Sequence, residues 1–352
     1  MDLPVLPPLT PMLGRLAREL PRDGFLYEPK WDGFRALAFR DGDEVDIRSR
    51  HDRPLARYFP ELVSGLRSLA ADRFVIDGEI VVSGAKGFDF PALMARLHPA
   101  ASRVERLRRE TPGLFVGFDL LALGDEDVRE RTFGERRSLL SALLATAAPP
   151  IVLTPLTDDP ATAAEWLACH GTGVDGIMAK DRGLAYRPGV RAMVKVKRER
   201  TADCVVAGFR WLAERPLPSS LLLGLYDADG DLQHVGVASS FGERERRALL
   251  AELEPLVAPL EGHPWEGGFL LAGGPTGRLK GAAGRWTPEM TRDWVPVAPL
   301  RVAEVGYDQV DGRRFRHPAR FLRWRPDRDP RSCRFDQLED ASPQIVELLP
   351  LG

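Results

Sequence analysis

Apolar residues along this chain recur with two periods, and the switches between them mark out its elements. FRALAFR (34–40) and EVDIRSR (44–50) flank the turn DGD, which predicts an antiparallel hairpin. The period lengthens in YFPELVSGLRSLA (58–70), where Phe59, Leu62, Leu66 and Leu69 take helical spacing, and FVIDGEIVV (74–82) returns as a strand. LFVGFDLLAL (114–123), GIMAK (176–180) and MVKVK (193–197) read as further strands, and FGERRSLLSALLATA (133–147) and PATAAEWLACHG (160–171) as helices. Hairpins mixed with helices predict an α+β fold rather than a doubly wound parallel sheet, and no GxGxxG or Walker-type loop occurs.

The pattern changes after Lys197. KRERTAD (197–203) reads as a charged connector, followed by strand-like CVVAGFRW (204–211), SSLLLGLYDADGDLQHVGVASSF (219–241) and LRVAEVGYDQV (300–310), with a helix at ERERRALLAELEPL (243–256). Short strands with one helix predict a small β-barrel of OB type. The expected domains are 1–199 and 200–352, with the boundary near Arg198 to Asp203.

A length of 352 residues agrees with two domains, and a hydrophobic content of 44% supplies an ordinary core. No secretory leader is legible and no apolar run reaches the ~20 residues that span a bilayer, so a cytoplasmic protein is expected. Cys169, Cys204 and Cys333 form no CxxC pair and are expected to be buried or inert thiols. A net charge of −2 requires any polyanion-binding surface to be local. Lys and Arg together number 49, yet only Lys30, Lys86, Lys180, Lys195, Lys197 and Lys280 are lysines. Arginine supplies the generic positive charge, so each lysine is a candidate for work a guanidinium cannot do, above all losing a proton and attacking.

Three spacings carry possible chemistry. Strand alternation puts Asp77 and Glu79 on one face, opposite Ile76 and Ile80, where two carboxylates need a cation or donors such as a divalent metal or a ribose. It also pairs Lys195 with Lys197, a clamp for phosphate oxygens. For both, a solvated strand face is the competing reading. The segment RRFRHPARFLRWRPDRDPRSCR (313–334) interleaves arginines with Phe315, Phe321 and Trp324, which suits a polyanion or a solvated basic face. Lys30, in EPKWDGFRAL (28–37), would have to be neutral to attack phosphorus. Gly33 admits a close backbone approach to a nucleotide or a simple turn, and Phe118 a stacked base or plain core.

In order, KWDG (30–33), SRHD (49–52), DGE (77–79), FDLL (118–121), DGIMAK (175–180), KVK (195–197) and RPDR (325–328) resemble the motif series of the covalent nucleotidyltransferases, which comprise DNA ligases, RNA ligases and mRNA capping enzymes. The series spans nearly the whole chain and is most similar to the small ATP-dependent bacterial DNA ligases of LigC type and to the ligase domain of LigD. The resemblance implies an adenylation domain plus an OB-fold domain, and a three-step reaction. Lys30 takes AMP from ATP as a lysyl-AMP phosphoamide, AMP passes to the 5′-phosphate of a nick in duplex DNA, and the 3′-hydroxyl displaces it, in the service of DNA repair. It places Glu28 by the adenine, Arg35 and Arg50 at the ribose or nick phosphate, Glu79 at the ribose or metal, and Phe118 on the adenine. Asp175 would help to hold Mg²⁺ (or Mn²⁺), Lys180 would belong to the nucleotide site, and Lys195 and Lys197 would meet the α-phosphate. Arg325, Asp327 and Arg328 would orient pyrophosphate in the first step only, the OB domain closing over ATP and then swinging to DNA about the charged connector.

The chain departs from the family pattern at three positions. Asp175 stands for a glutamate, Met193 for a frequent tryptophan, and Arg328 for a final lysine. ATP is expected over NAD⁺, since 29 residues precede Lys30 and no zinc finger is legible. An RNA ligase, a capping-type enzyme and a non-catalytic DNA-binding module are the alternatives. The LigC resemblance also suggests a monomer that works beside a gap-filling primase-polymerase.

Overall fold

The computed structural model describes residues 1–84, 87–168, 174–197, 200–266, 294–338 and 349. The chain divides into two compact units, Met1–Arg198 with Asp340–Gly352, and Glu199–Glu339.

In the first unit the strands are β1 (Gly14–Ala17), β2 (Phe25–Trp31), β3 (Phe34–Asp41), β4 (Glu44–Ser49), β5 (Arg73–Gly84), β6 (Gly87–Phe88), β7 (Gly113–Leu123), β8 (Glu126–Asp127), β9 (Ile151–Leu153), β10 (Val174–Asp181) and β11 (Met193–Val196). Its helices are α1 (Pro60–Arg67), α2 (Phe90–Ala95), α3 (Ala101–Glu110), α4 (Phe133–Leu143) and α5 (Pro160–Ala168). One sheet runs β1-β11-β10-β2 and the other β4-β3-β5-β7-β8, with β6 on β5 and β9 parallel to β7. The expected hairpin is β3–β4, closed by Asp41 opposite Glu44 around Gly42, whose φ of 61° suits the turn.

Helix boundaries follow local chemistry. α1 opens on Pro60, where a missing N–H costs nothing, and α4 on Thr132, whose side chain exchanges hydrogen bonds with Glu135 in a capping box. Leu62 and Leu66 of α1 and Leu140 and Leu143 of α4 pack on Ile76, Ile80, Phe115 and Leu120 behind the second sheet. Ala163 of α5 packs with Tyr27, Ile177 and Val194 behind the first. Between the sheets lie Met12, Leu37, Phe39, Val75, Leu121, Tyr186 and Met193. The unit is therefore layered helix, sheet, sheet, helix, and polar groups on the inner faces can only be reached through a gap in this core.

The second unit is a barrel. Its strands are β12 (Arg200–Leu212), β13 (Arg215–Tyr226), β14 (Leu232–Ala238), β15 (Val295–Tyr307) and β18 (Arg320–Trp324), with a small hairpin of β16 (Val310–Asp311) and β17 (Arg314–Phe315), and α6 (Glu243–Leu253) follows β14. The order β14-β13-β12-β15-β18 closes on itself where Ala319 N–H donates to Val237 O (2.8 Å) and Ser239 N–H to Ala319 O (3.2 Å), a parallel contact. Five strands closed in this order, with a helix between the third and fourth, form the expected OB-type barrel.

Two expectations change. The connector is shorter than KRERTAD suggests: β12 already pairs with β15 from Arg200 opposite Tyr307, so Thr201 to Asp203 are strand, and residues 198–199 lie outside the described residues. Leu349, which the sequence reading places in the second domain, packs among Trp31, Phe88, Leu114 and Val152 of the first, where its apolar side chain is buried. Cys204 and Cys333 are buried free thiols as expected, whereas Cys169, Lys86 and Lys280 lie outside the described residues. Among the described residues, no helix is long and apolar enough to cross a membrane.

Candidate functional site

Antiparallel pairing lines up the inner face of the first sheet. Glu28 of β2 sits opposite Met178 of β10, which sits opposite Lys195 of β11, and alternation adds Lys30 and Lys180 to the same face. From the facing sheet come Arg35 of β3, Glu79 of β5 and Phe118 of β7. Together with Met12, Gly14, Arg50, Arg191 and Met193 they line a cavity of about 210 Å³.

Lys30 is brought to its partners by a β-bulge. On β2 it is the single residue between Pro29 and Trp31, which pair with Ile177 and Val174, so β10 opposes it with two residues, Asp175 and Gly176. Gly176 has φ 128°, and a Cβ there would lie 2.1 Å from Val196 O, so only glycine fits. The bulge turns the Asp175 carboxylate inward, where Oδ2 accepts from Lys30 Nζ (2.6 Å) and pairs with Lys197 Nζ (2.8 Å). Burial pushes the Asp175 carboxyl up, but the two ammoniums hold it below its ordinary range. The Lys195 ammonium makes no hydrogen bond or ion pair among the described residues, although the backbone of β11 is paired on both sides. Burial, then Lys197 and Lys30, lower its amine.

Glu28 closes one end of the cavity. It is 2% exposed, with Oε1 2.9 Å from Arg137 Nη1 and Oε2 2.8 Å from Lys180 Nζ. Arg137 also donates to the Thr154 carbonyl, and burial pulls its guanidinium down against the pull of Glu28. Lys180, 1% exposed, donates to the Phe118 carbonyl (3.1 Å) and lies 4.7 Å from the Phe118 ring centre. Arg35 lies 4.5 Å from the same centre. Lys180 thus reaches the cavity through Glu28 and Phe118 rather than as a free charge.

The carboxylates of DGE part company. Asp77 is fully buried, gripped by Arg35 through Nε (2.5 Å) and Nη2 (2.6 Å) and receiving the Tyr186 hydroxyl (2.6 Å). Tyr186 in turn accepts from Met12 N–H (3.1 Å). Glu79 lines the cavity and, among the described residues, its carboxyl accepts only Gly33 N–H (3.2 Å); burial raises it to about 7 although Arg35 and Lys30 lower it. A carboxyl so short of positive charge fits a cation or a ribose hydroxyl. Asp175 fits a cation less well, because two lysines already neutralise it. Among the described residues no cluster of three His, Cys, Asp or Glu could hold a metal, so phosphate oxygens and water would complete any coordination sphere. Gly33 has a reason other than the expected one. A Cβ there would meet Ile80 O at 2.1 Å, so it is glycine to let the chain pass β5.

In the second unit, Arg325 donates through Nε (2.9 Å) and Nη2 (2.7 Å) to Asp327, and through Nη1 to both oxygens of Asp203 (3.1 Å each). The hydrogen bond to Arg325, opposing its small desolvation, lowers the Asp327 carboxyl to about 2. Arg328 Nε lies 3.1 Å from Asp203 Oδ2.

The structure thus gathers Glu28, Lys30, Arg35, Arg50, Glu79, Phe118, Lys180 and Lys195 at one cavity, with Asp175 and Lys197 joined through Lys30, and Arg325, Asp327 and Arg328 in a separate cluster. Sequence reasoning missed Arg137, Tyr186, Arg191 and Asp203. Arg191, exposed on the cavity wall four residues before Lys195, is the one its position could have flagged.

Residues 6–197 match the family described as "ATP dependent DNA ligase domain", and residues 214–328 the one described as "ATP dependent DNA ligase C terminal region". DNA ligase C2 of Mycolicibacterium smegmatis is 52% identical over 342 residues, and DNA ligase C of Mycobacterium tuberculosis 50% identical over 345, with 96% of each chain covered in both cases. The multifunctional non-homologous end joining protein LigD of Mycobacterium bovis is 33% identical over 312 residues, 86% of this chain and 36% of that longer protein. A solved structure of a Lig E DNA ligase shares the fold, with TM-score 0.53, 16% identity, and 89% of this chain and 99% of that chain covered.

Proposed function

The chain belongs to the family of ATP-dependent DNA ligases, and from that premise we propose that Lys30 is the residue that carries AMP from ATP to a nick. The observation that supports this most is the Lys30 amine on the cavity wall, opposite a bulge that aims Asp175 at it. In the first step the neutral amine of Lys30 bonds to the α-phosphorus, its proton leaves, and the bond to the bridging oxygen breaks to release pyrophosphate. In the second, a 5′-phosphate oxygen of nicked DNA displaces Lys30, which regains a proton. In the third, the 3′-hydroxyl oxygen bonds to the 5′-phosphorus and gives up its proton, while the phosphoanhydride bond to AMP breaks and AMP departs.

Lys195 and Lys197 would bind the α-phosphate. Lys195, crowded by burial and by Lys197 and Lys30, gains when an anion enters, so the cavity favours the group it is about to react with. Glu28, fixed in place by Arg137 and Lys180, turns carboxyl oxygens toward the cavity, which suits the adenine amino group, with Phe118 beside the base. Glu79 and Arg35 would meet the ribose, and Arg50 the nick phosphate. Mg²⁺ or Mn²⁺ would be held chiefly by Glu79 with the phosphates, Asp175 joining only where the phosphates draw Lys30 and Lys197 from it, and would neutralise phosphate charge. Arg325, Asp327 and Arg328 would orient the pyrophosphate. We place the enzyme in the cytoplasm as a monomer that seals nicks during DNA repair, after a gap-filling primase-polymerase has acted.

Sealing of a 5′-phosphorylated, singly nicked duplex by wild type and Lys30→Ala, with ATP and Mg²⁺, tests the reading. Wild type is expected to seal and Lys30→Ala to lose all turnover; sealing by Lys30→Ala at the wild-type rate overturns it.

A further inference from the structure

Every nitrogen of Arg325 is already occupied. Nε and Nη2 form a side-on fork with Asp327, which is exposed, and Nη1 is held from the other side by both oxygens of Asp203, which is mostly buried. The fork is the face of a guanidinium that fits a phosphate as well as a carboxylate. An arginine that is to meet pyrophosphate must therefore exchange one carboxylate for the other anion. Only the Asp327 side is open enough for that exchange.

Asp203 is built not to move. It lies in β12, opposite Glu304 of β15. Its N–H donates to Gln337 Oε1 (2.7 Å) and its carbonyl accepts from Gln337 Nε2 (3.0 Å), so one side chain clamps its backbone from both sides. Its neighbour Cys204 is fully buried in the barrel core. Arg325 N–H is tied to Val302 O (2.8 Å), and Arg328 N–H to Arg325 O (3.2 Å), which fixes the turn carrying all four residues of the RPDR motif.

We propose that Asp203 is the positioning residue of this cluster: it keeps hold of Arg325 Nη1 and steadies Arg328 while the fork of Arg325 passes from Asp327 to the pyrophosphate of ATP. Charge supports the arrangement. Arg325 and Arg328 face Asp203, Asp327 and, at 3.9 Å, Glu304, which Arg323 also pairs at 2.6 Å, so three acids balance three arginines and the resting cluster has no surplus cation to trap a free anion. Without Asp203, Arg325 keeps its charge and Asp327, but loses the anchor that aims it.

The inference rests on the first-step role proposed above for Arg325 and Asp327, and the test separates the two. Using the full chain, protein–AMP formation from ATP is measured beside sealing of a pre-adenylated nick without ATP. Asp203→Asn is expected to slow protein–AMP formation roughly 10- to 100-fold, the loss of one charge-assisted hydrogen bond on a reacting group, while leaving sealing of the pre-adenylated nick near wild type. Asp203→Glu should recover part of the loss. Gln337→Ala, which loosens the clamp without touching charge, should give a smaller loss of the same step and serves if Asp203→Asn does not fold. Equal loss in both steps, or none in the first, overturns the proposal. If Arg325→Ala loses the first step while Asp203→Asn keeps it, only the proposal fails; if Arg325→Ala spares the first step, the Arg325 assignment fails and takes the proposal with it.

Discussion

Lysine was legible in this chain because arginine does the ordinary electrostatic work. Four of the six lysines fall in the motif series, and three of them, Lys30, Lys195 and Lys197, gather at the cavity wall or on the Asp175 carboxylate beside it. The fourth, Lys180, shows the limit of reading by residue type. Burial on Glu28 makes it a support for the cavity, and its partner Arg137 was invisible among many arginines because only the tertiary fold brings α4 to β2. Glu79 carries a testable consequence. Its carboxyl is raised in the folded protein to about 7, so the native state holds a proton that the unfolded chain releases near the ordinary value of 4.5. Stability contributed there is present at low pH and lost as pH rises from about 4.5 to 7. Relative to wild type, Glu79→Gln should therefore gain stability between pH 5 and pH 8 by about 1–2 kcal/mol, after discounting partial solvent access. Denaturant titrations at the two pH values check this, and a pH-independent difference between the proteins would contradict it.

Elements were legible where period alone decides them. The β3–β4 hairpin, α1, α4 and β5 follow from spacing and turn chemistry. The bulge in β10 was not legible, because a strict alternation of DGIMAK predicts a regular strand and says nothing of which residue is doubled. The length of β12 was missed for a related reason: KRERTAD is charged enough to read as a loop, and only pairing with β15 makes it a strand, which hid Asp203. The bulge also makes a prediction of its own. Gly176→Ala sets a Cβ against Val196 O at a backbone angle side chains rarely adopt, so it should cost roughly 2–4 kcal/mol of stability and displace Asp175 from Lys30 and Lys197. Thermal unfolding beside protein–AMP formation checks it. Unchanged stability and adenylation would mean the bulge does not set the site.

For the whole molecule, the order of short motifs carried more than any one of them. KWDG alone is a chance tetrapeptide, whereas seven motifs in order from Lys30 to Arg328 fit one family, and the matches over 6–197 and 214–328 cover the same ground. Barrel closure through Ala319 and the return of Leu349 to the first unit depend on contacts distant in sequence, which patterning cannot rank. The central claim is that this ligase works through one covalent lysine, and the most direct measurement is to locate it. After incubation with ATP and Mg²⁺ in the absence of DNA, the protein is digested and the AMP-bearing peptide sequenced by mass spectrometry. AMP is expected on Lys30 alone, and on no residue in Lys30→Ala; an adduct on Lys195, Lys197 or any other residue, or none in the wild type, would contradict the account.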